Sequence, residues 1–252
     1  MNLLITNDDG ISAQGIAVLA RAAAAFGKVT LVAPARQCSA MSHRITLGRP
    51  LRLEAVDFPV ENVSAYSLDG TPADCVKAAL DAILPEKPDV VLSGINHGYN
   101  VGYDVVYSGT VGAAMEASLC GVPGLAVSLC SHLDRDYEEA AALGVRAMEW
   151  AVHHPLPRGE IYNLNVPYGV KIRGVRSASI SNEYIFPPDY LPDGAGGYVL
   201  GQEQDALPET DPNSDLNLTN AGYASMQVLT WKLLSDTPMP DLSDLAPELE
   251  GE

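Results

Sequence analysis

Positive charge is scarce in this chain. Lysine and arginine number 15 against 32 aspartates and glutamates, a formal net charge of −17 over 252 residues. A surface this acidic repels nucleic-acid backbones and anionic lipid, which argues against a protein that coats a DNA or RNA duplex or a membrane. It also means that an anionic small molecule would need a local positive device: a metal ion, a helix N-terminus or a few arginines. Cysteine is sparse as well. Cys38, Cys75, Cys120 and Cys130 form no C-x-x-C pair, which argues against a structural zinc site and predicts buried free thiols in a reducing compartment. The first residues carry no basic n-region, and no stretch reaches the roughly 18 apolar residues of a membrane span. A cytoplasmic location is expected, and the triplets Asn62-Val63-Ser64 and Asn217-Leu218-Thr219 read as incidental rather than glycosylated.

Several catalytic signatures are missing too. No G-x-x-x-x-G-K-[ST] and no G-x-G-x-x-G follows a strand, so nucleoside-triphosphatase and dehydrogenase readings are weak. No G-x-S-x-G elbow is present. A haloacid-dehalogenase pattern fails because Asp8 is followed by Asp9-Gly10 instead of by an acid two residues on.

What is present is an α/β rhythm. Short Val-, Leu- and Ile-rich runs at 2–6, 29–33, 89–93 and 125–129 suit a parallel sheet buried on both faces. Helical stretches are predicted between and after them at 13–26, ending at Gly27, at 72–84, at 111–119 and at 137–153. Thr71 and Pro72 read as the N-cap and first residue of the second helix. Alternation between Arg44 and Leu68 predicts an antiparallel excursion. After about residue 155 short β-like pieces (161–166, 198–200, 223–229) replace the rhythm. The expected organisation is a Rossmann-like, doubly wound, mostly parallel sheet over residues 1–155, a mostly β extension over 156–240, and an acidic, disordered tail over 241–252. The extension holds Tyr184, Ile185, Phe186, Tyr198, Tyr223 and Trp231, costly to leave exposed, so it is expected to mediate oligomer contacts.

In open α/β sheets, ligands bind beyond the carboxyl ends of the strands. Those ends deliver Asn7-Asp8-Asp9-Gly10, then Arg36-Gln37-Cys38-Ser39, then the long loop from Ser93 through Asn96, His97, Asn100 and Asp104 to Ser108-Gly109-Thr110. Two adjacent carboxylates at the end of an apolar strand repel each other, and a cation is the most direct compensation. Asp8 and Asp9, with Ser39 and Asn96, would supply the carboxylate, hydroxyl and amide oxygens that suit Mg²⁺ or Mn²⁺. The plain alternative is an Asx-type turn that caps the next helix. Ser108-Gly109-Thr110 reads either as an anion cradle or as a simple helix N-cap. Asp104 is a catalytic helper or a solvated loop charge. Arg36 and Arg44 are candidates for a phosphate or ribose, or surface residues; His43 and His97 lack the paired spacing of a zinc site.

Four segments in fixed order, ITNDDGISAQG, VAPARQCSAMSHRITL, GTPADCVKAAL and SGINHGYNVGYDVVYSGTVGAAMEA, resemble the survival protein SurE family. The resemblance implies a Rossmann-like core, one divalent ion per subunit (Mg²⁺ or Mn²⁺) and hydrolysis of nucleoside 5′- or 3′-monophosphates, with exopolyphosphatase activity in many members. It implies metal ligands at Asp8, Asp9, Ser39 and Asn96, and a homodimer or dimer of dimers. On the combined reading the catalytic candidates are Asp8, Asp9 and Asp104, and the substrate-binding candidates are Asn100, Ser108, Gly109 and Thr110. Toward the C-terminus the resemblance thins, and Thr230 stands where some members carry a histidine implicated in catalysis. The rival reading is a nucleotide- or metal-binding regulator that has lost turnover.

Overall fold

The computed structural model describes residues 1–131, 136–183, 189–201 and 210–232. The expected tail at 241–252 and the residues Tyr184, Ile185 and Phe186 lie outside the described residues.

The elements run β1 (Asn2–Thr6), α1 (Gln14–Ala23), β2 (Lys28–Pro34), β3 (Leu53–Val56), β4 (Val63–Leu68), α2 (Pro72–Ala78), β5 (Val90–His97), α3 (Gly109–Leu119), β6 (Gly124–Cys130), α4 (Glu138–His153), β7 (Glu160–Pro167), β8 (Val175–Ser177), β9 (Tyr190–Pro192), β10 (Tyr198–Leu200), α5 (Asp215–Asn220) and β11 (Ala224–Thr230). A π-type turn over Ala79–Ile83 follows α2, and a 3₁₀ turn over Gly102–Tyr107 precedes α3. Nine strands form one sheet in the order β3-β4-β2-β1-β5-β6-β7-β11-β8, and β9 pairs with β10 in a separate ribbon. The pairs β4–β2, β2–β1, β1–β5, β5–β6 and β6–β7 are parallel; β3 against β4 and β11 against β7 are antiparallel.

Side-chain alternation explains the two layers. Leu3, Ile5 and Leu92 face α1 and α4 in one core, while Leu4, Val91 and Val32 face α2 and α3 in another. Because successive strand residues point to opposite faces, a strand covered on both must be apolar throughout. The doubly wound α/β expectation holds.

Several boundaries differ from expectation. The helix expected at 13–26 stops at Ala23, because the chain turns back to bring Gly27 (φ +158°) onto Met1, whose carbonyl oxygen would lie 2.0 Å from a Cβ there. The helix expected at 72–84 is α-helical only to Ala78 before widening into the π-type turn. Its start matches: Thr71 and Asp74 form a reciprocal capping box, with Pro72 in the first turn. The expected antiparallel excursion is present where Leu53–Val56 pairs with Ala65–Leu68, and the other edge of Val63–Leu68 pairs parallel with β2. Residues 44–52 are pinned by side chains instead, Thr46 on Asp74 and Arg49 on Asp69.

β5 runs to His97 rather than stopping at Ser93, with a register shift between Ser93 and Asn96. Gly94 makes this possible. It sits at φ +146°, and a Cβ there would lie 2.3 Å from the Val127 carbonyl oxygen. The shift carries Asn96 and His97 to the rim of the sheet. β7 and β11 continue the same sheet, and α5, which the β-like reading of that region did not include, packs beside β11. Among the described residues no helix is long and apolar enough to cross a membrane.

Candidate active site

The sharp turn after β1 is made by Asn7. Its Nδ2 donates to the Gly10 carbonyl at 3.0 Å and its Oδ1 accepts from the Gly10 N–H at 3.1 Å, with Gly10 at φ +98°. The Asx turn that competed with a metal site therefore exists, but Asn7 closes it. The cap of α1 is Ala13, which makes no side-chain bond to the helix. Asp8 and Asp9 are spared both tasks.

Asp8 is 4% exposed and turned toward α3. Its Oδ1 accepts from the Thr110 hydroxyl at 2.6 Å, and its Oδ2 accepts from the Thr110 N–H at 3.1 Å. Gly109 allows the approach, since a Cβ there would lie 2.9 Å from the Asp8 Cβ. Burial, and then the neighbouring Asp9 charge, push the Asp8 carboxyl up from 3.8 to about 6 against the pull of the Thr110 bonds. Ser108 caps α3 by accepting from the Val111 N–H at 3.1 Å. Of the two readings of Ser108-Gly109-Thr110, the helix N-cap is present. Ser108 is an N-cap, and the anion facing the helix entrance is the protein's own Asp8 carboxylate.

Neighbouring strand ends converge on the same rim. The Cys38 N–H donates to the Asp8 carbonyl at 2.7 Å, which lays the loop carrying Ser39 against the end of β1. Ser39 is exposed, and its Oγ accepts from Gln37 Nε2 at 2.9 Å. On the other side, Asp9 Oδ2 accepts from the His97 N–H at 3.1 Å, tying Asp9 to the end of β5 beside Asn96. Asn96 donates its amide nitrogen to the Gly98 carbonyl at 3.0 Å, which leaves the amide oxygen as the group it offers. Asp8, Asp9, Ser39 and Asn96 thus come from three adjacent strands, β2, β1 and β5. Their oxygens form a hard donor set, and two adjacent carboxylates, one of them buried, favour a cation between them, so the residues fit a small divalent ion. Among the described residues no three His, Cys, Asp or Glu side chains cluster as a metal site.

The long loop is held from below. Asn100 is buried, its N–H donates to Asn165 Oδ1 at 2.9 Å, and its carbonyl accepts from Nδ2 of both Asn163 and Asn165 at 2.9 Å. Its side-chain nitrogen donates to Ser128 Oγ at 2.7 Å, so Asn100 is turned inward. Asp215, fully buried at the start of α5, accepts from the Gly102 N–H at 3.0 Å, the Ser181 N–H at 2.9 Å and Gln227 Nε2 at 2.8 Å. Asp104 is buried in the 3₁₀ turn. Arg36 and Arg44 are exposed on the loop after β2. Thr230 ends β11 opposite Glu160, the first residue of β7, at the sheet edge away from Asp8 and Asn96.

Sequence reading missed Asn163, Asn165 and Asp215. The signal was available for the first two: Asn at alternate positions of an otherwise apolar strand puts two amides on one face. Asp215 carried no such mark.

The survival protein SurE family model matches residues 3–185. A protein named 5′-nucleotidase SurE from Pelotomaculum thermopropionicum is 40% identical over 248 residues, 97% of this chain and 95% of that protein. Another of that name from Synechococcus sp. (strain JA-3-3Ab) is 43% identical over 238 residues, 91% of each chain. The crystal structure of the SurE protein from Aquifex aeolicus superposes with a TM-score of 0.78 at 32% identity, covering 93% of this chain and 95% of that one. The chain belongs to the survival protein SurE family.

Proposed function

We propose that this protein is a divalent-metal-dependent phosphatase that hydrolyses nucleoside 5′- or 3′-monophosphates to nucleoside and phosphate, with polyphosphate as a second substrate. One observation carries the reading. A buried carboxylate, Asp8, is seated on the entrance of α3 beside a second carboxylate and two neutral oxygen-bearing residues at the carboxyl edge of the sheet. Relatives named 5′-nucleotidase along nearly the whole chain supply the substrate class.

In this reading Asp8, Asp9, Ser39 and Asn96 hold the ion, Mg²⁺ or Mn²⁺, one per subunit. When bound, the ion supplies positive charge to a phosphate oxygen and makes a water molecule a better nucleophile. The chain's own contribution is positioning. Thr110 fixes Asp8 and opposes the upward pull of burial on its carboxyl, and the His97 N–H orients Asp9. In this reading Gly109 and Thr110 face the phosphate, Asn100 anchors the long loop through its bonds to Ser128, Asn163 and Asn165, and Asp104 of that loop is the further catalytic candidate. Phosphoryl transfer depends mostly on such placement and electrostatics, so few dedicated proton carriers are required.

The functional unit in this reading is a homodimer or a dimer of dimers. The β9–β10 ribbon pairs with no other strand among the described residues and exposes Tyr190 and Tyr198 at 67% and 71%. An isolated two-stranded ribbon is marginal in water, so a partner subunit is its natural cover. A cytoplasmic location goes with it, supported by four unbonded cysteines.

Phosphate release from a panel of nucleoside monophosphates and from polyphosphate, with Mn²⁺, with Mg²⁺ and with EDTA, tests the reading. Metal-dependent release from the monophosphates is expected. Binding without release under every condition would favour the regulator instead. Light scattering at micromolar concentration tests the assembly, and a stable monomer near 27 kDa would refute it.

A further inference from the structure

Ser39 sits on a stretch of chain that is anchored at both ends and exposed between them. On one side the Cys38 N–H is bonded to the Asp8 carbonyl. On the other, the Ser42 N–H donates to the Tyr107 carbonyl at 2.8 Å and the Ser42 hydroxyl to the Val106 carbonyl at 2.8 Å. Ala40 (φ +55°), between these anchors, and Ser42 (φ +53°), at the second, adopt left-handed conformations that residues with a Cβ adopt at a cost, so surrounding contacts must hold them there.

A further side-chain contact comes from His43. Its Nε2 lies 2.7 Å from Glu116 Oε2 on α3, with the two side chains 31% and 13% exposed. Gly112, one turn before Glu116, lets the loop reach the helix: a Cβ there would lie 2.8 Å from the Ser42 carbonyl oxygen and 3.0 Å from the His43 Cα. Gly109, Gly112 and Glu116 fall at helical spacing along one face of α3. The first accommodates Asp8, the second accommodates the loop, and the third grips it.

We propose that His43 and Glu116 are positioning residues whose pairing locks the Ser39 loop onto the same helix that seats Asp8. The inference rests on the metal reading above for its purpose, but not for its geometry. One helix then sets the spacing between a carboxylate ligand and a hydroxyl ligand that arrive from different strands. The second oxygen of Glu116 accepts from Cys120 Sγ at 3.5 Å, which further fixes the side chain that His43 meets.

Amide hydrogen exchange on the metal-free protein, together with Mn²⁺ titration by calorimetry, tests the proposal. His43→Ala and Glu116→Ala should each raise exchange at Ser42 while leaving β1 and β5 protected. Each should weaken Mn²⁺ binding about tenfold, the scale of one half-buried charge-assisted hydrogen bond. The double variant should be no worse than either single one, and His43→Gln, which keeps a donor to Glu116, should recover most of both losses. Unchanged exchange at Ser42 in His43→Ala would overturn the clamp. Raised exchange with unchanged Mn²⁺ affinity would overturn its role toward the ion. A wild-type chain that binds no Mn²⁺ would overturn the metal reading and that role with it, and the exchange data distinguish this from failure of the clamp itself.

Discussion

Thr110 donates twice to Asp8, through its hydroxyl at 2.6 Å and its backbone N–H at 3.1 Å. The pair joins the turn after β1 to the entrance of α3, and it makes a buried carboxylate tolerable. Replacing Thr110 with Val keeps the shape and the backbone bond but deletes the hydroxyl. We expect a stability loss of about 1–2 kcal/mol and a clear fall in kcat/KM, read by denaturant melts and phosphate release. Lost stability with unchanged kinetics would make the contact purely architectural.

Asp8→Asn removes one of two adjacent charges. In the metal-free protein this relieves repulsion that the fold otherwise bears, so thermal stability at neutral pH should hold or rise. Metal-induced stabilisation, by contrast, should vanish, because a hard-cation site has lost a charged ligand. Parallel melts with and without Mn²⁺ check both halves. A variant that still shifts upward with Mn²⁺ as wild type does would place the ion elsewhere.

Much of this arrangement was readable in the sequence. Continuous apolar runs locate the central strands, Thr71-Pro72 marks a helix start, and the polar residues at successive strand ends fall on one rim because parallel strands share a direction. Other parts depended on contacts between distant residues. The lengthening of β5 follows from Gly94 passing close to Val127, and the crossover of β4 to β2 leaves no trace in local alternation. That the anion at the α3 entrance is Asp8 itself required the packing of Gly109 against β1.

Acid should reveal a second anchor, Asp74. Burial pushes its carboxyl up, but bonds from the Thr46 hydroxyl and N–H and from the Thr71 N–H outweigh it and hold the group below 3.8. A carboxyl depressed in the folded state contributes stability above its unfolded value, lost as pH falls through the folded one. Asp74→Asn should therefore be less stable than wild type at pH 5 and above, and the gap should close only below pH 3.8. Urea midpoints across that range measure it, and a gap independent of pH would remove Asp74's charge from the account.

Asn165 supports the long loop after β5 from β7 by bonding both the N–H and the carbonyl of Asn100. Asn165→Ala strands a buried N–H, and we expect a cost of about 1–3 kcal/mol. Because the loop continues through Asp104 to Ser108, kcat/KM should fall as well. Wild-type kinetics in a destabilised Asn165→Ala protein would confine this amide to folding.

The central claim is that Asp8 and Asp9 hold a divalent ion on which phosphate release depends. The most direct measurement is phosphate release from a nucleoside 5′-monophosphate by EDTA-stripped protein titrated with Mn²⁺, comparing wild type with Asp8→Asn and Asp9→Asn. We expect stripped wild type to be inactive and Mn²⁺ to restore it saturably. Both variants should fall at least about a hundredfold lower at the same metal concentration, the loss expected when a preorganised charge at the reacting centre is removed. Full activity in EDTA, or in either variant, would contradict the account.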